Sequence, residues 1–164
     1  MAPGAWVELS LMAKRRDAIK MTEEEVQAFL RERHVMNVAS FGPDGSIHLV
    51  AMWYGFIDGR PAFETYQKSQ KVKNLERDPR VTVLVEAGEV YEELRGVEIV
   101  GTVTIHRDSE AVLSCARSVI DRYWNPESPE QAEVMAAGLA AKRVAVEIKP
   151  ERVVSWDHRK IDGY

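Results

Sequence analysis

The chain has 164 residues, of which 45% are hydrophobic and 29% are charged, so it can bury the core of one folded domain. The formal net charge of −4 excludes the broadly basic surface of a typical nucleic-acid-binding protein. The sole cysteine, Cys115, excludes an internal disulfide and a multi-cysteine metal site. It favours a buried thiol in a reducing compartment, and the cytoplasm is the predicted location. The sequence shows no apolar run of the roughly 20 residues that span a membrane, so no membrane partner is predicted.

The first half of the chain predicts a helix and three strands. Thr22 and Glu25 form a capping box that starts a helix, which we expect to end near Arg33. Two successive hairpins should join the strands into a meander. Residues 1–20 are assigned to an N-terminal extension, a candidate flexible arm, and residues 21–164 to the folded domain. The strands are predicted at residues 34–41, 46–57 and 62–66, with turns at 42–45 and 58–61.

The second half predicts further strands with helices between them. Gly101, within a strand, indicates a bulge or a close backbone approach, and Pro150 should separate the last two strands. Because helices and strands do not alternate regularly, the pattern favours a mostly β, α+β domain built on an antiparallel barrel. The predicted helices are 69–78, 107–124 and 130–143, and the predicted strands are 80–87, 97–106, 144–150 and 152–156.

The connection between the third and fourth strands concentrates positive charge in an acidic chain. Ser69 is in position to cap a helix, and a spacing of three places Lys68 and Lys71 on one face, which Asn74 extends. A serine, free backbone N–H groups and lysines at a helix N-terminus form an anion site, and phosphate is the obvious anion. The alternative is a solvated helix whose lysines face water. The buried contacts of this helix should be Val72 and Leu75.

The stretch FETYQKSQKVKNLERDPRVTVLV, residues 63–85, resembles the flavin-binding split-barrel superfamily of pyridoxamine 5'-phosphate oxidase. Three further segments resemble, more narrowly, its branch of actinobacterial flavin- and deazaflavin-dependent oxidoreductases. The resemblance implies an antiparallel split β-barrel with flanking helices, which forms a homodimer with cofactor sites at the interface. The three segments are GPDGSIHLVAMWY (42–54), LRGVEIVGTVTI (94–105) and ERVVSWDHRKIDGY (151–164).

The resemblance also implies which residues bind the cofactor. Ser69 and Lys71 match ligands of the cofactor phosphate, and Thr65 matches a position near the ribityl chain. Met52 and Trp53 match the strand that lines the ring system. The full set of implied cofactor-binding residues is Met52, Trp53, Thr65, Lys68, Ser69, Gln70, Lys71 and Asn74.

The activity implied by the resemblance is hydride transfer from reduced coenzyme F420 or FMN to a conjugated small molecule. The cofactor carries this chemistry, so neither a catalytic side chain nor a metal is predicted. Gln70 stands where true pyridoxamine phosphate oxidases carry arginine, so that oxidation is not expected. F420 is preferred, because its anionic tail suits the basic residues around 14–20 and 68–80. The alternative function is a flavin- or haem-binding carrier or sensor without turnover.

Aromatic residues near the implied ring site allow two interpretations. Trp53, Tyr54 and Trp156 could wall the ring pocket. Aromatic side chains are also common in ordinary cores and dimer interfaces, which is the competing interpretation.

Overall fold

The computed structural model describes residues 16–161, which fall into two compact units. The terminal unit comprises residues 16–33, 85–98 and 153–161, and the central unit comprises residues 34–84 and 99–152. None of the described helices is long and apolar enough to cross a membrane. Most of the predicted N-terminal extension lies outside the described residues and stays a prediction. The helices are α1 (Glu23–Glu32), α2 (Gln70–Arg77), α3 (Ser109–Tyr123) and α4 (Pro129–Ala140), and residues 16–19 are also helical.

The described strands form one seven-stranded sheet in the order β2-β1-β5-β6-β7-β4-β3. The pairs β1–β2, β1–β5, β3–β4 and β4–β7 are all antiparallel. This confirms the predicted mostly β, α+β class. The strands are β1 (Met36–Phe41), β2 (Ile47–Met52), β3 (Gly55–Ile57), β4 (Arg60–Tyr66), β5 (Arg80–Ala87), β6 (Arg95–His106) and β7 (Arg143–Asp157).

The predicted long strand over residues 46–57 is wrong, because the strand breaks at Trp53 and Tyr54. Its two halves, β2 and β3, are the opposite edges of the sheet, so the predicted meander is wrong as well. The Tyr54 N–H donates to the Tyr123 hydroxyl (2.9 Å), and Arg122 Nε donates to the Tyr54 carbonyl (3.0 Å). These side chains bind backbone groups that a continuous strand would pair with its neighbour. Both come from α3, so no local pattern shows the break.

The two predicted hairpin turns are confirmed. Gly45 has φ +83° in the β1–β2 turn, a conformation that glycine adopts without strain. Asp58 and Gly59 both have positive φ (48° and 78°) and form a tight two-residue turn between β3 and β4. Turn chemistry is local, which explains why both positions could be predicted from the sequence.

The last strand, β7, continues through Pro150, so the predicted division into two strands is wrong. The pairing of β7 with β4 ends at Glu147, so the missing N–H of Pro150 removes no bond from that ladder. The close approach predicted at Gly101 is confirmed: a Cβ there would lie 2.1 Å from the Lys149 carbonyl oxygen.

The core of the central unit lies where α3 packs on the sheet. Cys115 is fully buried, which confirms the predicted core thiol, and burial raises the pKa of that thiol. A second apolar cluster joins α3 to α4 through Ala116, Ile120 and Ala136. The first cluster contains Ile57, Ala62, Val112, Cys115 and Ala145.

The terminal unit is stabilised by caps and ion pairs around α1. Thr22 and Glu25 form the predicted capping box, with hydrogen bonds of 3.2 and 2.7 Å. Arg95 donates two hydrogen bonds to the Glu32 carboxylate, at 2.8 and 3.0 Å. The Trp156 indole lies over Gly96, where a Cβ would come within 2.1 Å of the ring.

Candidate cofactor site

Strand β4 carries polar groups on both of its faces. Residues 61–65 are buried, whereas Arg60 and Tyr66 at the strand ends are exposed. Successive side chains of a strand point to opposite faces, so Glu64 and Thr65 lie on different sides of the sheet. The sequence places two candidate sites on neighbouring residues of one strand.

Thr65, Ser69 and Lys71 form a hydrogen-bonded group, which we call the cation cluster. Lys71 Nζ donates to Thr65 Oγ1 at 3.1 Å, and the Thr65 hydroxyl donates to Ser69 Oγ at 3.2 Å. Ser69 is the N-cap residue of α2, as predicted, but its side chain makes no capping hydrogen bond. The first turn of α2 therefore begins without a side-chain cap for its free N–H groups.

Positive charge in the cation cluster is not balanced by a carboxylate. Lys71 is half-buried, and burial together with the nearby charge of Arg143 lowers its pKa. Within residues 16–161, neither Lys71 nor Arg143 forms an ion pair. An uncompensated cation beside an uncapped helix N-terminus is complementary to a phosphate.

The other residues predicted on α2 lie apart from this hydrogen-bonded group. Lys68 and Gln70 are exposed, and Gln70 donates to Asn74 Oδ1 at 2.9 Å. Asn74 is buried, accepts a second hydrogen bond from Arg77 (3.4 Å), and its Nδ2 has no partner among the described residues. The helix buries Val72 and Leu75, as predicted.

Met52 and Trp53 line a cavity of about 300 Å³, which we call the Glu64 cavity. Trp53 is half-exposed and stacks on Tyr123, with 4.7 Å between ring centroids. Neither Tyr54 nor Trp156 is among the lining residues. Tyr54 is fully buried, and Trp156 lies in the terminal unit. The complete lining is Ala51, Met52, Trp53, Glu64, Val119, Leu139 and Arg143.

Glu64 and Arg143 were not anticipated from the sequence. Both Glu64 carboxyl oxygens are buried without a hydrogen-bond partner in the described part of the chain. Burial raises the pKa of Glu64 to about 7, against the opposing effect of Arg143. A charged residue in the middle of the apolar segment AFETY was an available signal. The sequence contained no such signal for Arg143, since the position of Arg143 depends on the pairing of β7 with β4, in which it lies opposite Tyr66.

Comparison with known proteins places the chain in a family. The pyridoxamine 5'-phosphate oxidase family model matches residues 22–157, which include α2 and β4. A search of curated proteins gave no significant match. Among solved structures, a conserved hypothetical protein from Mycobacterium tuberculosis is 44% identical, with a TM-score of 0.84 over 88% of this chain and 90% of that chain.

Two more distant structures have the same fold. An F420 reductase is 25% identical, with a TM-score of 0.60 over 77% of this chain and 94% of that chain. The haem storage protein HutZ from Vibrio cholerae is 17% identical, with a TM-score of 0.63 over 81% and 94% of the two chains. These likenesses confirm the predicted split-barrel fold, and the chain belongs to the pyridoxamine 5'-phosphate oxidase-like family.

Proposed function

We propose that this chain is an oxidoreductase that binds coenzyme F420, or FMN, through its phosphate and transfers hydride to a conjugated small molecule. The observation that carries the proposal is Lys71, a half-buried cation with no ion-pair partner in the described chain, at the N-terminus of α2. A phosphate at this position would supply the missing negative charge and accept hydrogen bonds from the helix. The 25% identical F420 reductase supports F420 as the preferred cofactor.

The residues present fit a phosphate group. Lys71 would donate a charge-assisted hydrogen bond, and the Ser69 hydroxyl and the first-turn N–H groups would donate others. Thr65 holds Lys71 Nζ in place by accepting its hydrogen bond. When bound, the cofactor supplies the hydride chemistry, so the protein's part is to hold it and exclude water. Met52 and Trp53 remain the proposed contacts of the cofactor ring. Lys68 and Gln70, which are exposed, remain proposed cofactor contacts.

Fluorescence titration with F420 and with FMN, on the wild type and on Lys71→Met, tests this proposal. Loss of one charge-assisted phosphate contact should weaken binding by roughly tenfold to over a hundredfold, or about 1.5–3 kcal/mol. Methionine keeps most of the apolar stem, so folding should be retained. Lys73→Met is the matched control, because Lys73 is exposed on the same helix. This variant should change the cofactor affinity by no more than about twofold.

Three results would contradict or change this proposal. Binding of neither cofactor, or equal losses in both variants, contradicts the phosphate role of Lys71. Binding of FMN alone would keep the site and change the cofactor. Stable binding of a reduced cofactor, or of haem, without electron transfer to any acceptor would favour the carrier or sensor alternative.

We also propose that two copies form a homodimer, as the family resemblance implies. Strand β2 is an edge of the described sheet, and its Ile47 and Leu49 are 61% and 64% exposed on one face. A second copy over this face would remove both side chains from water. Light scattering should show a dimer that Leu49→Lys converts to a monomer; an unchanged dimer would rule out this face. The cytoplasmic location stays a prediction.

A further inference from the structure

The proposed hydride transfer requires a proton as well as a hydride. A conjugated acceptor that gains a hydride becomes an anion, and a proton must then be added to give the neutral product. A site that excludes water has to supply this proton from a side chain. The candidates are the residues that line the Glu64 cavity, because the proposed ring contacts Met52 and Trp53 line it as well.

Within the described residues, Glu64 is the one lining residue whose side chain can release a proton near neutral pH. The guanidinium of Arg143 does not release a proton in proteins, and the remaining lining side chains carry no acidic group. The lining therefore offers one candidate acid.

The Glu64 carboxyl group is buried and makes no hydrogen bond inside the described chain. Glu64 is only 5% exposed, and neither of its carboxyl oxygens has a partner among residues 16–161. Burial disfavours the charged carboxylate and raises the pKa of Glu64 to about 7. A proton is therefore present on this group near neutral pH, and the group can turn to a bound acceptor without breaking a hydrogen bond within the protein.

Arg143 can stabilise the carboxylate that remains after Glu64 has released its proton. It lines the same cavity and has no ion-pair partner within the described part of the chain. Its positive charge favours the ionised form of Glu64, against the effect of burial. A cation that is not paired elsewhere stabilises charge that develops in a cavity of low dielectric constant.

We propose that Glu64 is the proton donor in the proposed hydride transfer, an inference that rests on the proposed function. For an α,β-unsaturated carbonyl compound, the β-carbon gains a hydride from the reduced cofactor, which is oxidised. The electron pair of the C=C bond shifts toward the carbonyl oxygen and gives an enolate. The Glu64 O–H bond then breaks, its proton forms a bond to the α-carbon, and the C=O bond forms again. Glu64 is left as a carboxylate beside Arg143 and regains a proton from water after the product leaves.

The first test uses the full chain without a cofactor. ¹³C NMR of protein with labelled glutamate carboxyl groups, on the wild type and on Glu64→Gln, identifies the Glu64 signal by its loss in the variant. This signal should titrate at about pH 7. Titration near the ordinary value of 4.5 would overturn the proposal, because Glu64 would then hold no proton at neutral pH.

The second test follows the oxidation of bound reduced F420 by stopped flow, with cyclohex-2-en-1-one as the acceptor probe. The wild-type rate should be constant at low pH and fall as the pH rises through about 7. Glu64→Gln, which has no acidic proton, should lower the rate by about a hundredfold or more and remove this pH dependence. Glu147→Gln is the matched control, because Glu147 is equally buried but does not line the cavity, and it should keep the wild-type pH profile.

Thermal melting of each variant establishes that it is folded before the rates are compared. A wild-type rate and pH profile in Glu64→Gln would overturn the role of Glu64 and leave the proposed function intact. A wild type that binds no cofactor, or that binds it without transferring hydride to the probe, would contradict the proposed oxidoreductase and this inference with it.

Discussion

Glu64 and Thr65 are neighbours on β4 but lie in two different regions. One region contains a cation without an acidic partner, and the other contains a carboxyl group without a hydrogen-bond donor. On the Thr65 side, the cation cluster holds Lys71 without an acidic partner among the described residues. On the Glu64 side, a buried carboxyl group has no donor within the same range. Buried polar groups in a finished core are normally satisfied by the protein itself. Among the described residues, the Thr65 side therefore lacks an anion for Lys71, and the Glu64 side lacks a hydrogen-bond donor for the carboxyl group.

A second buried glutamate shows what a satisfied carboxylate looks like in this fold. Glu147 is as buried as Glu64, at 5% exposure, but accepts hydrogen bonds from Arg60 and His106, both at 2.8 Å. Burial raises the pKa of Glu147, but the hydrogen bonds from Arg60 and His106 outweigh it, and the net pKa is lowered. The two glutamates are equally shielded from solvent, but only Glu147 has hydrogen-bond donors, and the pKa values of the two shift in opposite directions.

The largest expected effect comes from reversing the charge of Lys71. Lys71→Glu places a carboxylate among the proposed phosphate ligands and should weaken cofactor binding by more than about a hundredfold. Lys73→Glu, an exposed change on the same helix, is the control and should have a far smaller effect. Equal weakening of cofactor binding in Lys71→Glu and Lys73→Glu would mean that Lys71 is not a ligand of the cofactor phosphate.

The next effect is on the pH dependence of stability. The pKa of Glu64 is raised from 4.5 to about 7, so the folded chain retains a proton that the unfolded chain releases. The contribution of Glu64 to stability is therefore fully present below pH 4.5 and is lost as the pH rises through 7, a total of about 3 kcal/mol. Glu64→Gln should gain stability relative to the wild type between pH 5 and pH 8.

Urea denaturation at a series of pH values measures this difference in the free energy of unfolding. Glu147→Gln is the control of opposite sign, because the pKa of Glu147 is lowered and its contribution is lost as the pH falls. A difference between Glu64→Gln and wild type that does not change with pH would mean that Glu64 is solvated like an ordinary surface carboxylate.

The third effect is a loss of stability on removal of the Tyr123 hydroxyl. Tyr123→Phe leaves the Tyr54 N–H without its partner and should lower the free energy of unfolding by about 1–3 kcal/mol. The phenylalanine ring would keep the stacking contact with Trp53, so cofactor affinity should stay unchanged in Tyr123→Phe. Tyr66→Phe, at a 58% exposed position, is the control for denaturation. An equal loss in the two variants would argue against a special role of the hydroxyl.

The smallest effect is predicted for the stability of Ser69→Ala. An N-cap serine normally contributes about 1 kcal/mol, but the Ser69 side chain makes no cap bond, so only a few tenths should be lost. Ser128 does cap α4, by accepting from the Gln131 N–H at 3.2 Å, and Ser128→Ala should show the usual loss. Cofactor affinity should fall only in Ser69→Ala. Equal stability losses would assign Ser69 an ordinary structural role.

Much of the cation cluster could be predicted because its determinants are close together in the chain. Ser69, Lys71 and the stop at Pro79 lie within one short connection, where helix propensity and cap chemistry are local. Thr65 is four residues before Ser69, within the same stretch. Only the Met52–Trp53 wall of the Glu64 cavity could be predicted. Glu64 lies on another strand, β4, and α3, α4 and β7 supply one side chain each from distant parts of the chain.

The sequence by itself determined the hairpin turns, the α1 capping box, the start of α2 and the charge at its N-terminus. Each of these depends on backbone preferences and side chains within a few residues of one another. Only the tertiary structure decided that the strand breaks at Tyr54, that β7 passes through Pro150, and that Glu64 has no partner. These three features depend on whether a backbone or carboxyl group meets a hydrogen-bond partner from far along the chain.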